Sequence, residues 1–294
     1  MTVGIIGGSG VYDMDGIEGA ERRRLSTPFG DPSDEYVCGK LDGVQTCFLP
    51  RHGRGHRILP SEINHRANIF GMKVLGVERV LSVSAVGSLK EEISPRDIVL
   101  PDQYFDRTKR PAEHTFFGKG IVAHIAFADP ACAALRGVVE EAGRRVIDSL
   151  PECADIRIHP KGTYVNMEGP AFSTRAESHV YRKLGFDIIG MTSLAEAKLC
   201  REAEICYQAI AMVTDYDCWH ESEEPVTVEV VIGHLKANST LAGRVVRTVV
   251  GRIPGERDCD CADALRNAML TAPDAVPPET RAALQPIVGK YFGQ

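Results

Sequence analysis

The sequence predicts an α/β fold whose mostly parallel or mixed sheet lies between helices. Apolar runs of strand length recur along the chain, segments with helical spacing of apolar residues fall between several of them, and no internal repeat or low-complexity linker breaks the alternation. With 294 residues, 44% of them hydrophobic, the chain can bury a sizeable core as one large domain over 1–294 in preference to two small ones.

The first run, Val3–Ile6, is a strand feeding the glycine-rich turn Gly7-Gly8-Ser9-Gly10. Glycine permits close backbone approach, so the turn reads either as an anion cradle with the Ser9 hydroxyl or as a plain structural turn. A dinucleotide fingerprint needs a third glycine where Asp13 stands, and no Gly-Lys-Ser/Thr follows, so both large nucleotide-binding loops are excluded. The second run, Val44–Leu49, leads through Pro50 into Arg51-His52-Gly53-Arg54-Gly55-His56. His52 and His56 have helical metal-ligand spacing, but the glycines oppose a helix and the neighbouring arginines oppose a cation. An oxyanion clamp is the better reading, against a solvated basic loop.

A helical pattern over Ser61–Leu75 precedes the strand Val80–Val86, which breaks into small residues at Ser84-Ala85-Val86-Gly87-Ser88. Such residues let a ligand touch backbone amides and a hydroxyl, or pack a sheet tightly. Asp97–Leu100 and the helix Pro130–Leu150 follow, then the strand Thr163–Met167 and the helix Ser173–Leu184. Asp187–Met191, the helix Leu194–Glu202, the strand Cys206–Thr214 and the helix Val226–Val250 complete the alternation. Phe172, Ser173, Met191 and Thr192 sit just after strand-like runs, as core or as ligand wall. Thr271–Thr280 is rich in proline and alanine and reads as a surface crossing before a last helix through Leu284 and Ile287.

The strand Cys206–Thr214 carries the sharpest chemical signal, because it delivers Asp215 and Asp217 at its carboxyl end, where ligands collect in open α/β sheets. On an extended segment the two acids share a face, and repulsion with burial keeps one protonated and able to donate. The alternative is a turn in which one Asp caps a helix and the other meets water.

A net charge of −6 excludes a general nucleic-acid or membrane-surface binder, so any anion is bound locally. No stretch approaches a membrane span and the N-terminus lacks signal-peptide regions, which predicts a cytoplasmic protein. Nine scattered cysteines suit mostly reduced, buried thiols. The spacing in Cys259-Asp260-Cys261 permits a redox-sensitive bridge or a metal contact; the plain reading is two thiols in a surface loop. Together, anion donors, apolar surfaces and a carboxylate pair suit phosphate attacking a sugar that carries a heterocyclic base.

Several segments carry a family resemblance: Gly7-Gly8-Ser9-Gly10, Thr27-Pro28-Phe29-Gly30, Arg51-His52-Gly53, Gly87-Ser88-Leu89, Glu168-Gly169-Pro170, Arg175-Ala176-Glu177 and Thr214-Asp215-Tyr216-Asp217-Cys218-Trp219. Together they resemble the trimeric purine nucleoside phosphorylases, most closely the 5′-deoxy-5′-methylthioadenosine phosphorylase branch. The resemblance covers the chain up to about Val250. It implies a single-domain nucleoside phosphorylase fold with a mixed, partly barrel-like central sheet flanked by helices, and a homotrimer. It also implies phosphorolysis of a nucleoside to a purine and a pentose 1-phosphate in purine and methionine salvage. Inorganic phosphate is then a co-substrate, with no metal and no organic cofactor.

By the same resemblance Ser9, Arg51, His52, Ser84 and Ala85 hold phosphate, Met191 lies against the sugar, and Phe172 lies against the base with Ser173 and Thr192 nearby. Asp215 is the proton donor at N7, with Asp217 reading the 6-amino group or ordering the pair. The 6-oxopurine branch carries Glu at the position of Ser173 and Asn at that of Asp215, which favours adenine here over hypoxanthine. Val228 and Val231 align near the 5′ substituent, and His124 aligns with a histidine that arrives from a neighbouring subunit. An apolar wall welcomes a methylthio group and leaves a hydroxyl unpaired. The chain departs from some relatives in having Ser9 for Thr and Ala171 for Arg, and its tail over about 251–294 is expected to close the 5′ pocket or join subunits. The remaining alternatives are a phosphorylase of methylthioinosine or other 6-oxopurine nucleosides, and a silent nucleoside-binding protein.

Overall fold

Residues 1–220 and 228–292 are described by the structure, a computed structural model; the side chains of Pro111 and of residues 228–232 fall outside that description. In chain order the strands and helices are β1 (Thr2–Gly7), β2 (Glu18–Arg23), β3 (Tyr36–Leu41), β4 (Val44–Pro50), α1 (His65–Val74), β5 (Arg79–Ser88), β6 (Ile98–Val99), β7 (Gln103–Asp106) and α2 (Ala133–Asp148). They continue with β8 (Ile158–His159), β9 (Thr163–Asn166), α3 (Arg175–Lys183), β10 (Ile188–Gly190), α4 (Ser193–Glu202), β11 (Cys206–Asp215), α5 (Val228–Val250), α6 (Pro278–Ala283) and α7 (Gln285–Phe292).

β4, β1, β5 and β11 lie side by side in parallel and form the spine of the sheet. Residues 206–214 of β11 are all buried, as a parallel strand covered on both faces requires. The period of two then divides the core. Ile5 and Ile210 face one apolar layer with Val139 of α2 and Val246 of α5, while Ile6 and Ala209 face the other with Ile69 of α1 and Leu199 of α4. The tail joins the second layer through Leu265, Leu284 and Ile287.

The sheet is mixed and branches at β5, which pairs with β1 and β11 in parallel and with β10 in antiparallel sense. Beyond the branch, β11 pairs with β6, β6 with β8, β7 and β10 with β9, and β10 returns to β5. Because β6 and β7 run beside β8 and β9, these pairings close a small circuit. Its interior is filled by Val86, Val99, Tyr164, Ile188, Ala211 and Val213.

All seven strand-like runs form strands, within a residue or two of their expected ends. α1, α2 and α3 start later than periodicity suggests, because capping side chains fix the starts, whereas α4 begins one residue earlier, at Ser193. Asn64 accepts from the Ala67 N–H ahead of α1, and Thr174 with Glu177 makes a capping box for α3. β2, β3, β7 and β8 were not expected. β2 reads Glu-Gly-Ala-Glu-Arg-Arg and is exposed throughout, a charged edge strand with no apolar alternation to reveal it. No helix among the described residues is long and apolar enough to cross a membrane.

Asn166, buried at the end of β9, ties the circuit to α4: its Oδ1 accepts from the Leu194 N–H at 3.1 Å and its Nδ2 donates to the Met191 carbonyl at 3.1 Å. Asn166→Ala strands two buried backbone groups, and denaturant unfolding should show a loss of about 1–3 kcal/mol. Unchanged stability would mean that the start of α4 is held by other contacts.

Candidate active site

The parallel spine places four chain segments at one rim of the sheet. Gly7 pairs with Pro50 and Asp215 with Gly87, so the turns after β1 and β4 and the ends of β5 and β11 face a common space. That space is a cavity of about 640 Å³, a size suited to a small organic molecule and an anion together.

Its floor is a buried ion pair. The Arg51 guanidinium, 1% exposed, donates from Nε to Glu196 Oε1 at 2.5 Å and from Nη2 to Ser82 Oγ at 2.6 Å, and Nη1 donates to the Val83 carbonyl at 3.1 Å. Glu196, on α4, also accepts from Ser82 Oγ at 2.6 Å and from the Tyr207 hydroxyl at 3.0 Å. Burial opposes its charge most strongly, but the Arg51 charge and the hydrogen bonds from Arg51 and Ser82 act together to hold the carboxyl below its ordinary range. The clamp expected at this loop therefore takes a different form. Arg51 is a neutralised part of the floor with one Nη1 hydrogen left to offer, and Arg54 turns away to Asp34 at 3.0 Å.

Above that floor stand the candidate anion donors. Ser84 is 3% exposed and, among the described residues, its Oγ has no hydrogen-bond partner, which a bound acceptor would supply. A Cβ on Gly8 would lie 2.7 Å from Arg51 Nη1 and 2.4 Å from the Val83 carbonyl oxygen, so the glycine is what lets the first turn close over the guanidinium. His52 donates from Nδ1 to the Ile58 carbonyl at 2.8 Å, which fixes its tautomer and leaves Nε2 as an acceptor. Burial, then the Arg51 charge, pushes His52 down to about 4, so the ring is neutral. It stacks on His56 at 4.4 Å between centroids, and His56 bonds the Tyr12 hydroxyl at 3.0 Å.

Asp215 and Asp217 both line the far side, but they do not share a strand face. The β5–β11 ladder slips between Val213 and Asp215, and Asp217 turns into left-handed backbone at φ 52°. Consequently Asp215 Oδ1 accepts from the Asp217 N–H at 2.8 Å and Oδ2 from the Thr214 hydroxyl at 2.6 Å. This combines the two sequence readings, an Asp that caps a turn and an acid pair at one cavity. Burial pushes the Asp215 carboxyl up and the neighbouring Asp217 adds to the rise, against those two hydrogen bonds and His234. Asp217 is also pushed up by burial, with hydroxyls of Ser178 and Ser173 opposing. A Cβ on Gly87 would meet Asp215 Oδ1 at 2.9 Å, so that glycine makes room for the acid.

Ser9, Ala85, Phe172, Met191 and Thr192 line the same cavity, and Phe172 is 47% exposed at its mouth. Ser173 does not line it and lies behind Asp217. His124 is exposed, with its N–H on the Ala268 carbonyl, and does not line the cavity of its own chain. Val228 and Val231 lie on the first turn of α5, with side chains outside the described residues. Leu235, on the same helix face four residues beyond Val231, does line the cavity and was missed, as were Tyr12 and Glu196. Glu196 sits within a helical pattern where a glutamate ordinarily faces solvent, and only its 1% exposure marks it.

Comparison with known proteins bears on this geometry. Residues 2–251 match the model of the phosphorylase superfamily. A Geobacter sulfurreducens protein named S-methyl-5′-thioadenosine phosphorylase is 55% identical over 290 residues, 99% of both chains. A Hyperthermus butylicus protein of the same name is 48% identical, covering 91% of this chain and 95% of its own. Among solved structures, a methylthioadenosine phosphorylase from an antarctic soil metagenomic library superposes with a TM-score of 0.90 at 45% identity over 97% and 98% of the two chains. The methylthioadenosine phosphorylase of Schistosoma mansoni in complex with adenine gives 0.83 at 37% identity over 90% and 96%.

Two measurements test the floor. Glu196→Gln leaves a buried guanidinium uncompensated and should cost about 3–5 kcal/mol in denaturant unfolding. Adding Arg51→Met should recover part of that loss; strictly additive losses would contradict the coupling. The second concerns pH. His52 is held near about 4 and His65, by burial, near about 3, both below the unfolded value of about 6.5. The unfolded chain therefore binds more protons through that window, so stability should fall as pH drops from about 6.5 towards about 3. His65→Asn should flatten this dependence.

Proposed function

The chain belongs to the phosphorylase superfamily, and on that premise we propose that it is a pentosyltransferase that converts 5′-deoxy-5′-methylthioadenosine and phosphate to adenine and 5-methylthioribose 1-phosphate. One observation carries this reading: a single cavity has the Ser84 hydroxyl, unpartnered among the described residues, at one end, carboxyls with raised pKa at the other, and apolar walls between. The names of relatives with about half their residues identical support the same substrate.

Phosphate lies against Ser9, Ser84, the Ala85 amide, His52 and the remaining Arg51 N–H. A neutral His52 with Nε2 as acceptor takes a hydrogen bond from a protonated phosphate oxygen, while the other oxygens receive donors. As the C1′–N9 bond lengthens, the ribose becomes cationic and the purine gains electrons. A phosphate oxygen then bonds to C1′ and the electron pair of the broken bond passes to the base. Asp215, whose pKa burial raises, gives a proton to N7 from its neutral form, and Asp217 assists by reading the 6-amino group or ordering the pair. Phe172 covers the base with Ser173 and Thr192 near it, and Met191 packs on the sugar. Leu235 supplies the apolar side that takes the methylthio group, because a hydroxyl there lacks a partner, and the family resemblance aligns Val228 and Val231 with the same 5′ region.

The reaction as proposed uses inorganic phosphate as co-substrate and no organic cofactor. The exposed position of His124 suits a homotrimer in which it reaches a neighbouring subunit's pocket, with the tail over 251–294 at the 5′ pocket or the subunit contacts of one domain. A role in purine and methionine salvage fits a cytoplasmic enzyme.

Product release from methylthioadenosine, adenosine and methylthioinosine, with and without phosphate, tests this function. The expected order by kcat/KM places methylthioadenosine first, with a strict requirement for phosphate and with pentose 1-phosphate as product. A faster 6-oxopurine reaction, or turnover without phosphate, would sink the assignment. Asp215→Ala should lower kcat about 10²–10⁴-fold and change phosphate KM little. Since the neutral carboxyl is the donor, wild-type kcat should fall as pH rises through the raised Asp215 pKa.

A further inference from the structure

Four cysteines outside the cavity converge from three parts of the fold. Cys132 is the N-cap residue of α2, Cys206 opens β11, and Cys259 and Cys261 flank and enter a short 3-10 turn at Asp260–Asp263 in the tail. Their four Sγ atoms all lie within 4.8 Å of one another, and Cys206 Sγ is 3.4 Å from Cys259 Sγ. Cys132, Cys206 and Cys261 are 7% exposed or less. The reading of Cys259 and Cys261 as thiols of a surface loop thus gives way to a buried cluster, which the sequence hid because its members lie up to 129 residues apart (261 − 132).

We propose that these four cysteines form a structural site for a tetrahedrally coordinated, zinc-class divalent ion that fastens the C-terminal tail to the core.

The sulfur geometry favours one common centre. Four thiolates about 2.3 Å from a zinc ion stand about 3.8 Å apart along each tetrahedral edge. Sulfurs already mutually within 4.8 Å need small adjustments to reach that arrangement. Disulfides would instead draw the sulfurs together in pairs at about 2.05 Å, well inside the 3.4 Å between Cys206 Sγ and Cys259 Sγ. An all-sulfur donor set selects zinc or another thiophilic ion and disfavours magnesium and calcium. Binding replaces the thiol protons, so up to four protons leave as one divalent ion enters, and the occupied site carries a charge of −2.

The surroundings suit that charge. Cys132 Sγ accepts from the Leu135 N–H at 3.5 Å at the positive end of α2, which favours a thiolate. The Cys206 N–H donates to the Glu78 carbonyl, and the single Glu78 carboxylate meets three cations, Arg79, Arg257 and the Met1 ammonium, each at 3.6 Å. Positive charge thus remains beside the cluster.

The tail segment is also held from several sides, so its ligands are positioned by other contacts. Arg79 donates to the Gly255 and Glu256 carbonyls at 3.4 and 2.8 Å, and Arg257 Nη1 donates to the Glu204 carbonyl at 2.9 Å. Lys290 Nζ donates to the Ala262 carbonyl at 2.6 Å. The site stands at the opposite end of β11 from Asp215, about 30 Å away along the strand. Its work is therefore to secure the tail, whose residues beyond 251 lie past the superfamily match.

The test uses the full chain, prepared without a polyhistidine tag and without chelators. Elemental analysis should find one zinc per chain in the wild type and in Cys218→Ser, and only traces in Cys132→Ser and in Cys259→Ser. Mercurial titration of the native wild type should release that zinc in step with the modification of four thiols. Exchange with cobalt(II) should give the visible bands and thiolate charge transfer of a tetrahedral tetrathiolate, a readout that does not depend on how the variants fold. A metal-free wild type that takes up neither zinc nor cobalt would overturn the proposal. So would disulfides among the four cysteines found by non-reducing peptide mapping of metal-free protein.

Discussion

The Arg51–Glu196 ion pair is the constraint around which the candidate site is organised. A guanidinium and a carboxylate stripped of water are tolerable only while each satisfies the other, so the elements that carry them are fixed together. Arg51 follows β4, Glu196 belongs to α4, Ser82 and Val83 lie in β5, and Tyr207 is in β11. One network therefore ties three strands and a helix together. It also makes the floor nearly neutral, so in the proposed reaction phosphate above it depends mainly on fixed donors such as the Ser84 hydroxyl and the backbone at Gly8.

The two ends of the cavity are chemically opposite for local reasons. At the floor a charged pair is compensated in place and the histidine stays neutral. At the far wall burial works on carboxyls that have no cation of comparable strength among the described residues, so the pKa of both Asp215 and Asp217 is raised. One set of parallel strand ends thus presents hydrogen-bond donors and carboxyls with raised pKa to a single cavity. The slip of the β5–β11 ladder is what separates the roles of the two acids. It turns Asp217 out of the strand, and the Asp217 backbone N–H becomes a support for Asp215.

β11 links the chemistry to the rest of the molecule. Its carboxyl end supplies Asp215 and its first residue, Cys206, meets the cysteines of the tail. The tail in turn covers the apolar layer of α1 and α4, the helix that brings Glu196 to the floor.

The sequence by itself determined the alternating architecture, because apolar periodicity is a local consequence of which faces are covered; the runs at Val3, Val44, Val80 and Cys206 became the parallel spine. It also marked Ser9, Arg51, His52, Ser84, Asp215 and Met191, since small, basic and acidic residues directly after buried strands have few structural uses. Tertiary structure alone decided the remainder. The charged edge strand β2 follows from pairing with β3, and no local pattern records it. Glu196, Leu235 and the four-cysteine cluster look ordinary in their own segments and gain meaning only from what lies opposite them. Burial and charge compensation act through space between residues distant in the chain, so the sequence could name the acids while only the folded chain could set which way each one turns.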